Sequence, residues 1–393
     1  ILRCLVGSEM CIRDRFISSR PIYPIVGGDQ IRTAQCLEFL RLYFDVHVII
    51  IGSDENLSKP DNYGSYKYFQ NSKLQHLFQA LNFVLNDLPI QVNYYYNKKV
   101  QKYIDSIIHS FDVVFCNNLR TAQYVRKYKS VIRVIDFVDA ISMNYDKARK
   151  YARFPMKWIY TIDWKRCKIY ESTLLDEFDR ACVISEVDKA FILDNSNCNK
   201  KLSVIGNMAN VSDIVFPEEN GAIVFVGKMN YAPNILAVKN FVSNIFPFVV
   251  ASIPTVKFYV VGTHPTREIQ NLDNSKNIFV TGYVEDTNEY LDRASVVIAP
   301  MISGAGIQNK IIQAMGRGRC VVTTKIGSEG LSIEKGEIGI ANSNLELANL
   351  LVSLLNDPAQ RVKMGKLAKG YIMERLSRET IGKEFQEFIQ GAY

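Results

Sequence analysis

Gly304, Gly306, Lys310 and Gln313 are the residues whose types and spacing point most directly to chemistry, within SVVIAPMISGAGIQNKIIQAMGRGRCVVTTKIGSEGL, residues 295 to 331. Small residues leading into a helix let the backbone approach a ligand, and the free N–H groups and dipole of a helix N-terminus hold a phosphate. Lys310, one turn inside, supplies a cation that complements a diphosphate. Gly306, Asn309, Lys310 and Gln313 are spaced i, i+3, i+4, i+7 and share a polar face. Ile307, Ile311, Ile312 and Met315 make a separate apolar stripe. The same pattern also suits an ordinary crossover with a tight turn.

Three other places carry candidate chemistry. Gly227 and Lys228 follow the apolar run Ile223 to Val226, so Lys228 projects from a strand's carboxyl end and can reach the same phosphate as Lys310. Gly27 and Gly28 make a turn after the first strand, and Asp29 can cap the helix that follows. In DFVD, Asp136 and Asp139 emerge at another carboxyl end, where open α/β sheets bind ligands. From Lys147 to Lys168, eight Lys or Arg stand against one acid, Asp163, with Tyr151, Phe154, Trp158, Tyr160 and Trp164 between them. That segment reads either as a helix lying on an anionic bilayer or as a solvated helix with inward aromatics, and Pro155 interrupts any continuous face.

Stepping along the chain, short apolar runs alternate with helical periodicity. Strands are expected at Phe16–Arg20, Val46–Ile51, Asp112–Cys116, Val131–Ile135, Arg180–Ser185 and Leu202–Ile205, and again at Ile223–Val226, Lys257–Val261, Ile278–Thr281, Val296–Ala299 and Cys320–Thr323. The polar, turn-rich segment 206–221 separates the two sets, and 393 residues suit two domains. Residues 1–15, ILRCLVGSEMCIRDR, resemble a translated library adapter and read as a non-native extension. Pro60, Asn62 and Gly64 mark a surface loop.

Composition bounds the class. The chain is 48% apolar with a net charge of +7, a mildly basic globular balance consistent with anionic substrates or a membrane surface. No uncharged apolar run of about 18 residues exists, and Ile235 to Ile253 reads as a core helix. The eight cysteines form no CxxC pair and the four histidines stand far apart, so no zinc site is expected and a reducing cytoplasm fits. No Asp-x-Asp triplet occurs, leaving a bridging metal without candidate ligands.

The motifs SRPIYPIVGGDQIR, RVIDFVDAIS, RFPMKWIY, DRACVISEVD, FVGKMNYAPN, FYVVGTHPT, VTGYVEDTNEYLDRASVVIAP and GAGIQNKIIQAMGRGRCVVTT occur in this order. Together they resemble the retaining glycosyltransferases of family 4, in particular the sugar transferases of bacterial exopolysaccharide clusters. The resemblance implies an α/β GT-B fold, two Rossmann-like doubly wound parallel-sheet domains facing across a cleft. It implies an acceptor domain over 16–205, a linker over 206–221, a nucleotide-sugar domain over 222–376 and a C-terminal helix, 377–393, returning to the first domain. Gly304, Gly306, Ile307 and Gln308 would offer N–H groups to the donor diphosphate, with Asn309 on the same turn and Gly227, Lys228 and Lys310 beside it. Thr281, Gly282 and Tyr283 would border the base, and Gly27 and Gly28 would meet the transferred sugar or its phosphate. Asp136 and Asp139, with Lys310, are the catalytic candidates.

Two departures stand out. Family members carry two glutamates where this chain has Ala305 and Gln313, and many carry a His after the strand that here ends in Asp136. Gln313 still hydrogen-bonds a hydroxyl, though without a carboxylate's charge. The implied partners are a nucleotide-sugar donor and a glycan or lipid-linked acceptor, with peripheral contact to an anionic membrane, a cytoplasmic location at its inner face, no nucleic acid, and neither cofactor nor metal. A sugar-nucleotide epimerase or hydrolase on the same fold, and a non-catalytic nucleotide-sugar-binding paralogue, are the alternatives. A dinucleotide oxidoreductase fits poorly, since Asn309 stands where a third glycine is needed and Thr324 and Lys325 where an acid is.

Overall fold

In the computed structural model the described residues are 13–23, 25, 27–52, 65–194, 202–212, 218–304 and 306–391. Ala305, the Pro60–Gly64 loop and most of the 1–15 extension lie outside them. The chain divides into two compact units. One joins the residues up to Gly206 with those from Gly382 onward, and the other is Asn207–Ile381.

The first unit holds a seven-stranded parallel sheet built from β1 (Arg13–Ser18), β2 (Asp45–Gly52), β3 (Tyr66–Gln70), β4 (Val113–Asn117), β5 (Ile132–Val138), β6 (Arg180–Val183) and β7 (Leu202–Val204). Their order is β3-β2-β1-β4-β5-β6-β7, so the winding reverses between β1 and β4. Val48 to Ile51 and Val113 to Cys116 are wholly buried, as expected of parallel strands covered on both faces. Phe16 stacks on Phe115 with ring centroids 5.4 Å apart. The helix Arg378–Gln390 completes this core, with Phe385 5.6 Å from Phe39 and 5.9 Å from Phe115.

β1 begins three residues earlier than the apolar pattern indicates. Arg13, Asp14 and Arg15, read from sequence as part of the extension, pair with β2 and β4. The flanking strands Asp45–Gly52 and Val113–Asn117 extend that far, and a central strand between them fills the slot. Asp14 and Arg15 are buried there, with Asp14 Oδ2 and Arg15 Nε and Nη1 lacking hydrogen-bond partners.

The second unit is a six-stranded parallel sheet of β8 (Ala222–Val226), β9 (Lys257–Val261), β10 (Ile278–Gly282), β11 (Val296–Ala299), β12 (Val321–Thr324) and β13 (Gly339–Ala341). The order β10-β9-β8-β11-β12-β13 puts its reversal between β8 and β11. The apolar stretch after β8 forms two helices, Ala232–Asn244 and Phe246–Ser252, bent by 41° at Ile245. Ala237, Val238, Phe241, Phe246 and Val249 bury them in this core. Among the described residues no single helix is long and apolar enough to cross a membrane.

Candidate functional site

At the reversal of the second sheet, the carboxyl ends of β8 and β11 deliver Gly227–Lys228 and the loop from Pro300 to Gln308. This is where an open α/β sheet presents ligands. Thr323 Oγ1 donates to the Ala299 carbonyl at 2.7 Å and Thr324 Oγ1 to that of Met301 at 2.6 Å, tying the start of the loop to β12. Gly304 and Gly306 have φ of 140° and 70°, conformations that β-carbon-bearing residues rarely adopt.

The helix below the loop runs Asn309–Gly316, with Gln308 as its extended N-cap. It starts two residues later than the periodicity indicates, so Gly306 belongs to the loop and not to the helix face. No described group accepts a hydrogen bond from the backbone N–H of Gly304, Gly306, Ile307, Gln308, Asn309 or Lys310. Unsatisfied N–H groups at a helix start, with the helix dipole behind them, are suited to an anion.

Lys310 does not line an open surface. It is 9% exposed, its Nζ donating to Asn234 Oδ1 at 2.7 Å and lying 4.7 Å from the Phe225 ring centroid and 3.8 Å from Met301 Sδ. Burial pulls its pKa down to about 7, and no described carboxylate pairs with it. A buried ammonium facing only a carboxamide, a ring and a thioether carries a desolvation cost that a bound anion would offset.

Asn234, which sequence reasoning passed over, positions this cation. Its Nδ2 donates to the Lys228 carbonyl at 3.0 Å, linking the start of the helix Ala232–Asn244 to the turn after β8. A Cβ on Gly227 would sit 2.7 Å from Asn234 Nδ2, and one on Gly262 would be 1.9 Å from the Gly227 carbonyl oxygen. The close approach of these turns therefore excludes larger residues. The signal was present in FVGKMNYAPN, whose second asparagine, Asn234, falls where a helix begins.

The remaining candidates differ in engagement. Lys228 is exposed, and Gln313 is half-buried, its side chain making no hydrogen bond among the described residues. Asn309 Oδ1 accepts from Asn207 Nδ2 at 2.9 Å, and Gln308 Nε2 donates to the Gly306 carbonyl at 3.4 Å. Thr281 Oγ1 donates to the Gly282 carbonyl at 3.0 Å, while Tyr283 is exposed. Ile307 packs into the core.

In the first unit, Gly27 is the N-cap of the helix Gly28–Arg41, and its N–H donates to Gln30 Oε1 at 3.1 Å. Asp29 therefore falls inside the helix instead of capping it. Asp136 does not reach solvent. Arg32 Nε donates to its Oδ2 at 2.8 Å, Val138 N to its Oδ1 at 2.9 Å, and the thiols of Cys36 and Cys182 lie at 3.4 and 3.5 Å. Arg32 also donates to the Gly206 carbonyl at 2.9 Å, where the chain leaves this unit. Asp136 is thus an internal anchor, since a fully buried and fully paired carboxylate cannot meet a substrate.

Asp139, half-buried at the end of β5, is the available carboxylate. Burial lifts its pKa to about 6, reinforced by repulsion from Asp188 and opposed by the Asn144 hydrogen bond and Arg120. Glu171, buried behind it, is pushed up to about 8 by burial while accepting from Ser142 N at 3.0 Å. In the basic aromatic segment, Pro155 separates the helices Ile141–Tyr151 and Met156–Glu177. Tyr151, Phe154 and Trp158 are exposed beside Lys150, Arg153 and Lys157, whereas Trp164 is covered by Arg149 at 3.8 Å. Among the described residues no group of His, Cys, Asp and Glu offers three ligands to a metal.

Residues 220–357 match the family model of glycosyl transferases group 1. An uncharacterized 44.6 kDa protein in the cps region of Klebsiella pneumoniae is 22% identical over 240 residues, 57% of this chain and 62% of that protein. The match thus spans less than two thirds of the relative. Sucrose-phosphate synthase from Thermosynechococcus elongatus superposes with a TM-score of 0.72 at 17% identity, covering 96% of this chain and 98% of that one. Anabaena Alr3699/HepE in complex with UDP-glucose gives 0.69 at 13% identity, covering 96% and 99%. The fold is GT-B.

Proposed function

We propose that this chain is a retaining glycosyltransferase of family 4 that moves a hexosyl group from a nucleotide sugar to a glycan or lipid-linked acceptor in bacterial exopolysaccharide synthesis. One observation carries the reading. Lys310 is a buried amine that no described carboxylate pairs with, and the six backbone N–H groups of the loop and helix start have no described acceptor. A diphosphate supplies both the missing charge and the missing acceptors.

Lys310 and the loop N–H groups stabilise the departing nucleoside diphosphate as the glycosidic bond breaks, an electrostatic role that needs no metal. Lys228 adds charge at the rim. Gln313 hydrogen-bonds a ribose hydroxyl, and Thr281, Gly282 and Tyr283 border the base. Gly27 and Gly28 meet the transferred sugar, and Asp139 polarises the acceptor hydroxyl. The UDP-glucose in the HepE complex supports a uridine donor, and the cps-region relative supports a surface-polysaccharide pathway. Tyr151, Phe154 and Trp158, flanked by exposed lysines and Arg153, suit contact with an anionic membrane at its cytoplasmic face. Sedimentation with anionic but not neutral vesicles checks that contact.

The deciding experiment is a panel of UDP-, GDP- and ADP-sugars scored for thermal stabilisation and nucleotide release in the presence of EDTA. At least one sugar nucleotide should raise Tm and turn over. If none raises Tm, the donor site is misread, and if turnover needs an added divalent ion, the metal-free mechanism is.

A further inference from the structure

Between β3 and β4 the first unit carries a run of apolar side chains that face outward. Leu74, Leu77, Phe78, Leu81, Val84 and Leu85 are 59% to 84% exposed. They lie on the helix Lys73–Ala80 and on the 3-10 turn Leu81–Val84 that continues it. The spacing i, i+3, i+4, i+7, carried on into Val84 and Leu85, makes one stripe, which ordinarily turns to the core. Here the opposite face packs instead. His76 is buried, with Ala80 and Phe83 half-buried beside it. His76 Nδ1 donates to the Tyr94 carbonyl at 2.6 Å, and its ring stacks on Tyr94 with centroids 4.5 Å apart. Ser72 and Gln75 cap the helix start, each backbone N–H donating to the other's side chain, at 3.0 and 3.2 Å. A polar anchor thus holds the stripe outward.

An exposed apolar patch of this kind marks a protein or membrane contact, and the charges around it decide which. Residues 71–86 contain no Asp or Glu, and the first acid, Asp87, follows the stripe. Arg166 Nη1, from the helix Met156–Glu177, donates to the carbonyls of Phe83 and Leu88 at 2.8 and 3.1 Å, with its Cζ 5.6 Å from the Phe83 ring centroid. Asp163 of the same helix is buried and accepts from Ile90 N at 2.6 Å. The stripe is therefore pinned to the helix whose start exposes Phe154, Trp158, Arg153 and Lys157, with Lys165 exposed next to Arg166. Lys157 and Arg166 stand about 14 Å apart along the helix axis, at about 1.5 Å per residue. Apolar side chains beside exposed cations complement the acyl boundary and the headgroups of an anionic bilayer. A symmetric contact with a second copy would set the same cations against each other.

We propose that the stripe from Leu74 to Leu85 inserts into the acyl boundary of an anionic bilayer, with Arg153, Lys157 and Lys165 on its headgroups. Insertion extends the membrane contact proposed above and rests on that contact, but not on the transfer chemistry.

The test uses the full chain with vesicles of phosphatidylcholine, alone or mixed with phosphatidylglycerol. Flotation measures the partitioning of wild type, of Phe78→Ser/Leu81→Ser/Leu85→Ser and of Phe154→Ser/Trp158→Ser. Depth is read from Leu81→Trp in a Trp158→Phe/Trp164→Phe background, by quenching from lipids brominated in mid-chain. Wild type should float with the anionic vesicles, and the introduced indole should be quenched. The triple serine variant should lose about tenfold or more in partitioning, with Tm no lower than wild type because its three side chains are exposed. Partitioning of that variant within twofold of wild type, an unquenched indole on bound protein, or equal binding to neutral vesicles overturns the insertion. If only Phe154→Ser/Trp158→Ser loses binding, the basic aromatic contact stands and the insertion falls. A dimer that the triple variant abolishes, with no flotation of wild type, overturns both and assigns the stripe to a second copy. Nucleotide-sugar binding without vesicles should be the same in all variants, so the transferase reading is judged separately.

Discussion

Lys310 and Asn234 are joined by a single 2.7 Å hydrogen bond that gives a buried ammonium a dipole but no opposite charge. The folded pKa of about 7 lies below the ordinary lysine value of 10.5. Below about pH 7 the group is charged in both folded and unfolded chains and carries its full burial cost. Between about 7 and 10.5 the folded chain has shed a proton that the unfolded chain keeps, so this residue's penalty shrinks as pH rises.

A bound diphosphate reverses that preference. Donor binding at pH 8 should take up most of one proton, read as a buffer-dependent enthalpy in calorimetry across buffers of different ionisation heat. Lys310→Met should abolish the uptake and weaken donor binding by roughly 10- to 100-fold, about 1.5 to 3 kcal/mol for a charge-assisted bond. The unliganded variant should melt no lower than wild type. Donor binding without proton uptake would detach Lys310 from the phosphate.

Gln313 is half-buried, and its uncharged side chain makes no hydrogen bond among the described residues. Gln313→Glu should raise kcat/KM about tenfold through a stronger, charge-assisted bond. Absence of turnover in both wild type and that variant would favour a protein that binds nucleotide sugars without transferring them.

Asp139 and Asp136 should fail in different ways. Asp139, with a pKa near 6, gives activity an acid limb at about pH 6, and Asp139→Asn should remove the limb with turnover reduced and Tm preserved. Between pH 3.8 and about 6 the folded chain keeps a proton that the unfolded chain has lost, so stability falls through that window and the full cost stands above it; the asparagine variant should therefore not be less stable at pH 8. Asp136→Asn should instead lower stability by roughly 3 to 5 kcal/mol by leaving Arg32 buried and unpaired. Equal Tm values for the two variants would contradict these separate roles.

Asp14 sits in a central strand with Oδ2 unpartnered, its pKa raised well above the ordinary value by burial. Asp14→Val should stabilise the chain by about 1 to 3 kcal/mol, measured by urea unfolding at pH 7. A loss of stability would mean that its bond to the Arg15 N–H outweighs desolvation.

Much of the second sheet could be read in the sequence, because β8 and β11 are unbroken apolar runs, β9 is one after its first residue, Lys257, and Ile311, Ile312 and Met315 repeat at helical spacing. The edge strands could not. YKYFQ of β3 is only half-buried and β13 has three residues, so neither leaves a clear periodic trace. The type and spacing of the loop glycines and Lys310 placed them at a loop that feeds a helix N-terminus, where the structure has them. The burial of Lys310 was not legible, since it depends on Asn234, 76 residues earlier in the chain. Asp136 was misleading for the same reason, its partner Arg32 lying 104 residues away. Local pattern gives a residue's place on its own element, whereas a charge's solvation is decided by whatever distant element lands on it.

The first unit is interrupted by the whole of Asn207–Ile381, and its Phe39–Phe115 face is closed by Phe385 from beyond that insertion. On the ribosome, the unit begun first therefore finishes last. While Asn207–Ile381 emerges and can fold as one continuous piece, the nascent chain carries an uncovered aromatic surface, the kind that chaperones hold and proteases test. A premature stop shortly before Gly382 would release a polypeptide with every segment of Asn207–Ile381 translated and the other unit still open, a product marked for destruction by the one helix it lacks.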